Sequence, residues 1–203
     1  MKVLIVRFSA IGDCAMAAWA VSGVRRAGHE VGWAVEDRCA AVVSPGLAQT
    51  FAFPRKHPAG IGEGWRKQRG HLLPVLRVVK TIRRRRYDIG VDLQGHAKTA
   101  LLLRLSGVRD RRIMAPRDPL ARRLGGPVHV TSEHEVERAA EALRFLCAGE
   151  DALKCLPIMP AAAPRLVNPE ALIAVSAGSP EKALPPTTVT AVATALTREG
   201  WSV

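Results

Sequence analysis

Short apolar segments of strand length alternate with segments of helix length along most of this chain. The first strand is predicted at KVLIVR (2–7) and the second at EVGWAV (30–35), with a helix at 13–28 between them. QTFAFP (49–54) and DIGVDLQG (88–95) are predicted as two further strands. Because this alternation is typical of parallel βαβ units, the chain is predicted to be an α/β protein with a Rossmann-like parallel sheet.

The region after the fourth strand has a less regular pattern. RRIMA (111–115) is predicted as an edge strand, and the segment 116–131 as irregular structure. The residues 132–149 have helical spacing, and Ser132 and Glu135 fit a capping box at the start of that helix.

A proline-rich stretch divides the chain into two parts. Four prolines in LPIMPAAAPRLVNP indicate an extended connector, which is placed at 151–170. We therefore expect an N-terminal domain at 1–150 and the start of a second Rossmann-like domain at 171–203. In this second part a strand and a helix are followed by WSV, where another strand should begin, so we expect the chain to end inside a domain.

The net charge of +12 is unevenly distributed. Residues 55–126 contain 19 Lys or Arg and 5 Asp or Glu, a balance of +14, whereas the remainder has a balance of −2. Such a block indicates a polyanionic partner, which is a nucleic acid, an anionic membrane surface or a phosphorylated small molecule. The run RRRR at 83–86 fits such a partner and fits equally a solvated helix face.

Several classes of protein are excluded or disfavoured by the sequence. RFSAIGD contains a single glycine where a dinucleotide-binding loop needs three, and neither a Walker loop nor a G-x-S-x-G elbow occurs. The histidines show no metal-ligand spacing. No apolar run reaches the roughly 20 residues that span a bilayer, so we expect a cytosolic protein whose cysteines are reduced and mostly buried: Cys14, Cys39, Cys147 and Cys155.

Asp13 lies where the first predicted strand turns into the first predicted helix. Aspartate is a preferred helix N-cap, because its carboxylate accepts hydrogen bonds from the backbone N–H groups of the first turn. The same loop lies at the carboxyl edge of a parallel sheet, where such folds place their ligands. The residues alone therefore leave two roles open for Asp13, a helix cap and a catalytic base.

Several motifs, in the same order along the chain, resemble the glycosyltransferases of family nine, the heptosyltransferases of lipopolysaccharide core assembly. They are R-x-S-A-I-G-D at 7–13, YDIGVDLQGHAKTALL at 87–102, R-D-P at 117–119, H-E-V-E-R at 134–138 and AGSPEKALPP at 177–186. The resemblance, which is greatest to the heptosyltransferase I type, covers most of the chain. It implies a GT-B architecture, in which two Rossmann-like domains face each other across a cleft.

The resemblance also implies an activity. The family's enzymes transfer heptose from ADP-heptose, with inversion, to a lipid A acceptor that carries anionic keto-sugars (Kdo). Asp13 matches the family's catalytic aspartate, and the family's mechanism requires no metal and no cofactor. The protein would then act in the cytoplasm, at the cytoplasmic face of the inner membrane, without a nucleic-acid partner.

The remaining site residues are carried over position by position. Arg66, Lys67 and Arg69 lie in a segment that resembles the family's mobile acceptor loop, and Arg117 matches an arginine of its R-[DE]-P motif. Gln94 and Lys98 match family positions and are second-rank acceptor candidates, which fit packing or loop-fixing roles equally well. For the donor, the candidates are Ser179 and Lys182 of the phosphate loop.

Two alternatives remain open at this stage. Lys182 is followed by Ala-Leu-Pro where the family usually has a cation and an aromatic residue, so a relative that transfers another sugar is the first alternative. A basic nucleic-acid-binding protein is the second, although the aromatic content of 4% disfavours single-strand binding. We also expect the 203-residue chain by itself to be inactive in sugar transfer.

Overall fold

The computed structural model describes residues 1–54, 64–147 and 184–202, and for residues 64–72 it describes the backbone alone. The chain divides into two compact units, Met1–Ala161 and Ala162–Val203. The finer domain boundaries expected from the sequence stay a prediction, because the expected connector lies outside the described residues.

Six strands are found within the described part of the first unit: β1 (Lys2–Val6), β2 (Glu30–Glu36), β3 (Gln49–Phe53), β4 (Ile89–Asp92), β5 (Asp110–Met114) and β6 (Gly126–Val128). The same part contains five α-helices: α1 (Ile11–Arg26), α2 (Gly64–Arg85), α3 (Ala97–Leu105), α4 (Pro119–Leu124) and α5 (Glu135–Leu143). Two short 3-10 helices also lie within these described residues, at Asp37–Val42 and Arg144–Leu146. The second unit contributes α6 (Pro186–Arg198). None of the helices within the described ranges is long and apolar enough to cross a membrane.

The described strands form one parallel sheet in the order β3-β2-β1-β4-β5-β6. The central strand is β1, whose Val3 pairs with Val31 of β2 on one side and with Ile89 of β4 on the other. The chain winds outward from β1 in one direction through β2 and β3, and in the opposite direction from β4 onward. The order therefore reverses between β1 and β4, which is the position where open parallel sheets bind their ligands. The predicted α/β class is confirmed.

Helices cover both faces of the sheet. On one face α1 and α5 pack against a core that includes Val3, Ile5 and Trp33. On the other face α2 and α3 pack against Leu4 and Val6, and α4 packs beside α3. Since β1 is buried on both faces, its sequence is a continuous apolar run rather than an alternating pattern.

The structure corrects the prediction for residues 111–131. Strand β5 is not an edge strand, because β6 pairs with it in parallel, with Ile113 opposite Pro127. The segment predicted to be irregular contains both α4 and β6. Asp118 caps α4 and Pro119 occupies its first turn, so the residues that signal a turn here begin a short helix. Strand β6 has only three residues, too few to show a period in the sequence.

Two predicted helix starts are also corrected. Helix α1 begins at Ile11 with Ala10 as its N-cap residue, so Asp13 is the third residue of the helix rather than its cap. The N-cap of α5 is His134, and Ser132 forms no capping box with Glu135. The hydroxyl of Ser132 donates instead to the carboxylate of Glu141. The predicted burial of cysteines is confirmed for Cys14, Cys39 and Cys147, whereas Cys155 lies outside the described residues.

Candidate active site

Loops that follow three neighbouring strands meet at the carboxyl edge of the sheet. The loop after β1 leads to Asp13, the loop after β4 carries Gln94 and leads to Lys98, and the loop after β5 carries Arg117. Because β1 lies between β2 and β4, the first two of these loops flank the point where the strand order reverses. This geometry makes that edge the candidate active site.

The carboxylate of Asp13 has contacts on one of its two oxygens. Its Oδ2 accepts a hydrogen bond of 3.1 Å from the backbone N–H of Ala10 and lies 2.7 Å from Nη2 of Arg7. The side chain is 38% exposed, and no contact from the described residues is seen at Oδ1. Asp13 therefore stabilises the first turn of α1, and its carboxylate is partly exposed.

Arg7 is a buried cation that connects three elements. Its side chain is only 5% exposed and pairs with Asp13 of α1 and, through Nη1 at 2.6 Å, with Oε1 of Glu135 of α5. Its Nη1 also donates to the backbone carbonyl of Leu93, just after β4. A guanidinium removed from water is stable only when it is paired and hydrogen-bonded. The two carboxylates therefore balance the charge of Arg7, and Arg7 in turn fixes the position of Asp13.

Asp92, the last residue of β4, holds the loop between β4 and α3 in place through hydrogen bonds. Its side chain is fully buried, and Oδ1 accepts hydrogen bonds from the backbone N–H groups of Gln94 (2.8 Å) and Gly95 (3.2 Å). Its Oδ2 accepts a hydrogen bond of 2.7 Å from the hydroxyl of Thr99. Burial raises the pKa of Asp92 to about 6, although these hydrogen bonds and the charge of Arg7 act in the opposite direction.

Gln94 and Lys98 both contact the loop after β1 through Phe8. The side-chain oxygen of Gln94 accepts a hydrogen bond of 3.0 Å from the backbone N–H of Phe8. The ammonium of Lys98 lies 5.9 Å from the centre of the Phe8 ring, which packs against Phe53 at 5.1 Å between centroids. Gln94 thus fixes the β1 loop to the β4 loop, and Lys98 is an exposed cation beside them.

Arg117 is held at the same edge by its backbone. Its N–H donates a hydrogen bond of 2.9 Å to the carbonyl of Gly95. Gly95 has a φ of +72°, and a Cβ atom there would lie 2.6 Å from the carbonyl oxygen of Met114, so this close approach requires glycine. The side chain of Arg117 is exposed. Burial lowers the pKa of His96, and the positive charges of Arg117 and Lys98 lower it further.

Asp118 fixes the starts of two helices. Its Oδ1 accepts a hydrogen bond of 2.9 Å from the backbone N–H of Ala121 in α4, and its Oδ2 accepts one of 3.0 Å from Ala97 in α3. The hydrogen bond from Ala121 and then that from Ala97 lower the pKa of Asp118 below its usual value, against the effect of desolvation. Asp118 therefore ties the loop of Arg117 to the helix that carries Lys98.

The structure brings together four of the residues predicted from the sequence: Asp13, Gln94, Lys98 and Arg117. The predicted loop position of Arg66, Lys67 and Arg69 is wrong, since their backbone lies in α2. Arginine, lysine and glutamine are good helix formers, so the helix extends back to Gly64. Their side chains, and the whole of Ser179 and Lys182, lie outside the described residues. Within the described ranges, no group of three or more His, Cys, Asp or Glu side chains could hold a metal ion.

The supporting roles of Arg7, Asp92, Glu135 and Asp118 were not predicted from the sequence. A signal was present for the first two, because each is a charged residue that ends or directly follows a buried apolar strand. Such a residue must find partners at the carboxyl edge of the sheet. Glu135 lies in the motif H-E-V-E-R, but nothing in the sequence pointed to its partner Arg7, which is distant along the chain.

No protein-family model matches the sequence, and a search of curated proteins finds no match. Among solved structures, the heptosyltransferase WaaC of E. coli with ADP-2-deoxy-2-fluoro heptose is similar, with a TM-score of 0.75 at 19% identity, over 98% of this chain and 67% of that one. This chain has the fold of the heptosyltransferases. E. coli heptosyltransferase II is similar over 99% of this chain and 62% of that one, with a TM-score of 0.69 at 16% identity.

A third structure extends the likeness beyond E. coli. The family 9 glycosyl transferase of Veillonella parvula has a TM-score of 0.76 at 13% identity and covers 98% of this chain and 60% of that one. The predicted GT-B-type class and the resemblance to the heptosyltransferases are confirmed at the level of the fold. The chain spans between 60% and 67% of the lengths of these heptosyltransferase-fold proteins.

Proposed function

We propose that this chain is the acceptor-binding part of an inverting heptosyltransferase that moves heptose from ADP-heptose to a lipid A/Kdo acceptor in lipopolysaccharide core synthesis. The proposal is supported chiefly by the carboxylate of Asp13, which is partly exposed beside the β1–β4 reversal in a chain with the heptosyltransferase fold. In this proposal the protein acts at the cytoplasmic face of the inner membrane.

Asp13 is the proposed general base. An acceptor hydroxyl donates its hydrogen bond to Oδ1, while Oδ2 stays on Ala10 and Arg7. As the hydroxyl oxygen forms its bond to the anomeric carbon of the heptose, its proton moves to the carboxylate. The bond from that carbon to the nucleoside diphosphate breaks on the opposite face, and its electron pair leaves with the diphosphate. General-base assistance of this kind contributes about 10²–10⁴ in rate.

The exposed cations at the same edge are proposed to hold the acceptor. Lys98 is exposed in the first turn of α3, and Arg117 is exposed in the loop after β5. Arg66, Lys67 and Arg69 are proposed to contribute from the first turns of α2. Guanidinium groups suit the planar, two-point binding of phosphate or carboxylate. A surface rich in positive charge also raises the local concentration of an anionic acceptor.

Ser179 and Lys182 are proposed to bind the diphosphate of the donor. The proposal for these two residues rests on their position in AGSPEKALPP, which resembles the phosphate loop of family nine. A lysine and backbone N–H groups in a turn suit a diphosphate without any metal or cofactor. WaaC of E. coli has been solved with ADP, which supports a nucleotide-sugar donor.

The test is a transfer assay with a panel of nucleotide sugars and a lipid A/Kdo acceptor. Acceptor binding is measured on the chain itself, and transfer on a version joined to a complete nucleotide-sugar-binding domain. The proposal expects transfer from ADP-heptose, and loss of transfer but retained acceptor binding in Asp13→Asn. Transfer from a different nucleotide sugar, and not from ADP-heptose, would show that the proposed donor is wrong. Binding of nucleic acid without binding of the lipid A/Kdo acceptor would overturn the proposal as a whole.

A further inference from the structure

The two faces of the sheet in the first unit differ sharply in charge. Helices α2, α3 and α4, which cover one face, contain 12 Lys or Arg and no Asp or Glu. Helices α1 and α5, on the other face, contain four acidic residues and three arginines. The positive block of the sequence is therefore concentrated on one side of the fold.

Helix α2 carries leucines and cations together on its outward stripe. Leu73 is 61% exposed and Leu76 is 47% exposed. The exposed cations Arg77, Lys80 and Arg84 follow at spacings that place them on the same side of the helix. The opposite side of α2 packs on the sheet through Val79 and Ile82, so the leucines are not needed for the core.

Helix α3 repeats this composition beside α2. Leu101 is 41% exposed and Leu105 is 46% exposed, while Leu102 and Leu103 are buried against the sheet. The exposed cations of α3 are Lys98 and Arg104. We call the outward side of α2 and α3, with Leu73, Leu76, Leu101 and Leu105 and the cations between them, the cationic leucine face.

The chemistry of this face favours lipid over nucleic acid. Cations one helical turn apart repel each other, and neither helix contains an acidic residue that would balance them. Exposed leucines that alternate with lysine and arginine are typical of helices that lie on anionic membranes. Single-stranded nucleic acids are bound by stacking on aromatic side chains, and the stretch 73–84 contains none.

We propose that the cationic leucine face docks on the surface of a bilayer that contains anionic phospholipids. The leucines enter the boundary between head groups and acyl chains, and the cations pair with the lipid phosphates. The face adjoins the candidate active site, because α3 begins at Ala97, directly after the loop that carries Gln94. Docking does not depend on the chemistry of Asp13, so it goes beyond the proposed function and is tested without a transfer assay.

The test is flotation of the 203-residue chain with phosphatidylcholine vesicles, with and without phosphatidylglycerol. Binding is expected only to the vesicles that contain phosphatidylglycerol. The triple variant Arg77→Gln/Lys80→Gln/Arg84→Gln removes three exposed cations and is expected to bind about 100-fold more weakly. A matched control, Arg25→Gln/Arg26→Gln/Arg144→Gln, removes three exposed cations elsewhere and is expected to bind almost as the unaltered chain does.

The leucines are tested separately. Leu73→Gln/Leu76→Gln is expected to remove the part of the binding that survives high salt, since apolar insertion is not screened. Equal losses in the triple variant and its matched control would show that net charge alone is responsible and would overturn the docking face. Release from the vesicles by short RNA or DNA duplexes at low concentration would assign the face to nucleic acid instead. Circular dichroism and thermal unfolding of each variant exclude loss of the fold as the cause.

Discussion

The guanidinium of Arg7 lies 2.7 Å from the carboxylate of Asp13, although one side chain is 5% exposed and the other 38%. A buried cation directly after the central strand thus holds a carboxylate that is partly exposed. The same guanidinium also contacts Glu135 and the carbonyl of Leu93, so it is held by α5 and by the chain that follows β4. The position of Asp13 therefore depends on these elements as well as on the first turn of its own helix.

Asp13→Asn is expected to lower the rate of transfer by about 10² or more while acceptor binding is retained. The amide oxygen still accepts the hydrogen bond from the N–H of Ala10, so the fold should not be lost. Single-turnover rates, measured with the version that carries a complete donor domain, give the effect. Glu137→Gln on the exposed side of α5 serves as a control. A rate within a few-fold of the unaltered enzyme would leave Asp13 with a structural role alone.

Arg7→Met is expected to destabilise the protein by about 3 kcal/mol, because it leaves the carboxylates of Asp13 and Glu135 without their cation. Urea unfolding measures the loss. Adding Glu135→Gln to Arg7→Met should restore part of it, because one of the unpaired charges is then removed. If the losses of unfolding free energy caused by Arg7→Met and by Glu135→Gln simply add up in the double variant, the two residues are not coupled.

Asp92→Asn is expected to change how stability depends on pH. The pKa of Asp92 is about 6 in the folded protein, above its usual value of 3.8, so at a pH between these two values the folded state holds a proton that the unfolded state has lost. Asp92 therefore lowers stability as the pH rises from about 4 to about 6, by about 3 kcal/mol in total. The asparagine variant lacks this loss. Its stability relative to the unaltered protein should rise across that window, and a constant difference would contradict the burial of the charge.

Asp118→Ala is expected to lower the melting temperature, because α3 and α4 both lose an acceptor at their first turn. Asp118→Asn should lower it less. The pKa of Asp118 is held below its usual value in the folded protein, so its contribution is present above that usual value and is lost as the pH falls. Thermal unfolding of both variants at neutral and acidic pH tests this prediction. Equal melting temperatures for Asp118→Ala and the unaltered chain would contradict it.

Replacing Arg66, Lys67 and Arg69 together with glutamine is expected to weaken binding of a deacylated, phosphorylated acceptor analogue and to flatten its salt dependence. The analogue lacks acyl chains, so docking on membranes does not contribute. The matched control is the triple variant of Arg77, Lys80 and Arg84 on the same helix. If the control lowers the affinity as much as the test variant does, the effect is one of net charge.

The strands were predictable where both faces of the sheet are covered, because a strand such as β1 is then apolar at every position after Lys2. Helix α4 and strand β6 were not, since six and three residues are too few to show a period. The start of α2 was missed because glycines before it and within its first turns suggested a loop, although the residues 66–69 between Gly64 and Gly70 are good helix formers.

The site was predictable in part for a similar reason. Asp13, Gln94, Lys98 and Arg117 follow strands, and parallel strands bring their following loops to one edge. The partners of Arg7 could not be deduced, since Glu135 is separated from it by most of the domain and only the packing of α5 on the sheet joins them.

The central position of β1 has a consequence for how the chain acquires its fold during synthesis. Strand β1 is synthesised first and pairs with β2 across the connection that contains α1, but its other edge stays unpaired until β4, whose Ile89 lies opposite Val3, has been made. Until then this apolar strand has an open edge with which another chain could pair. Because the β1–β4 pairing closes the longer stretch of chain, we expect it to follow the β1–β2 pairing and to end this exposure to aggregation.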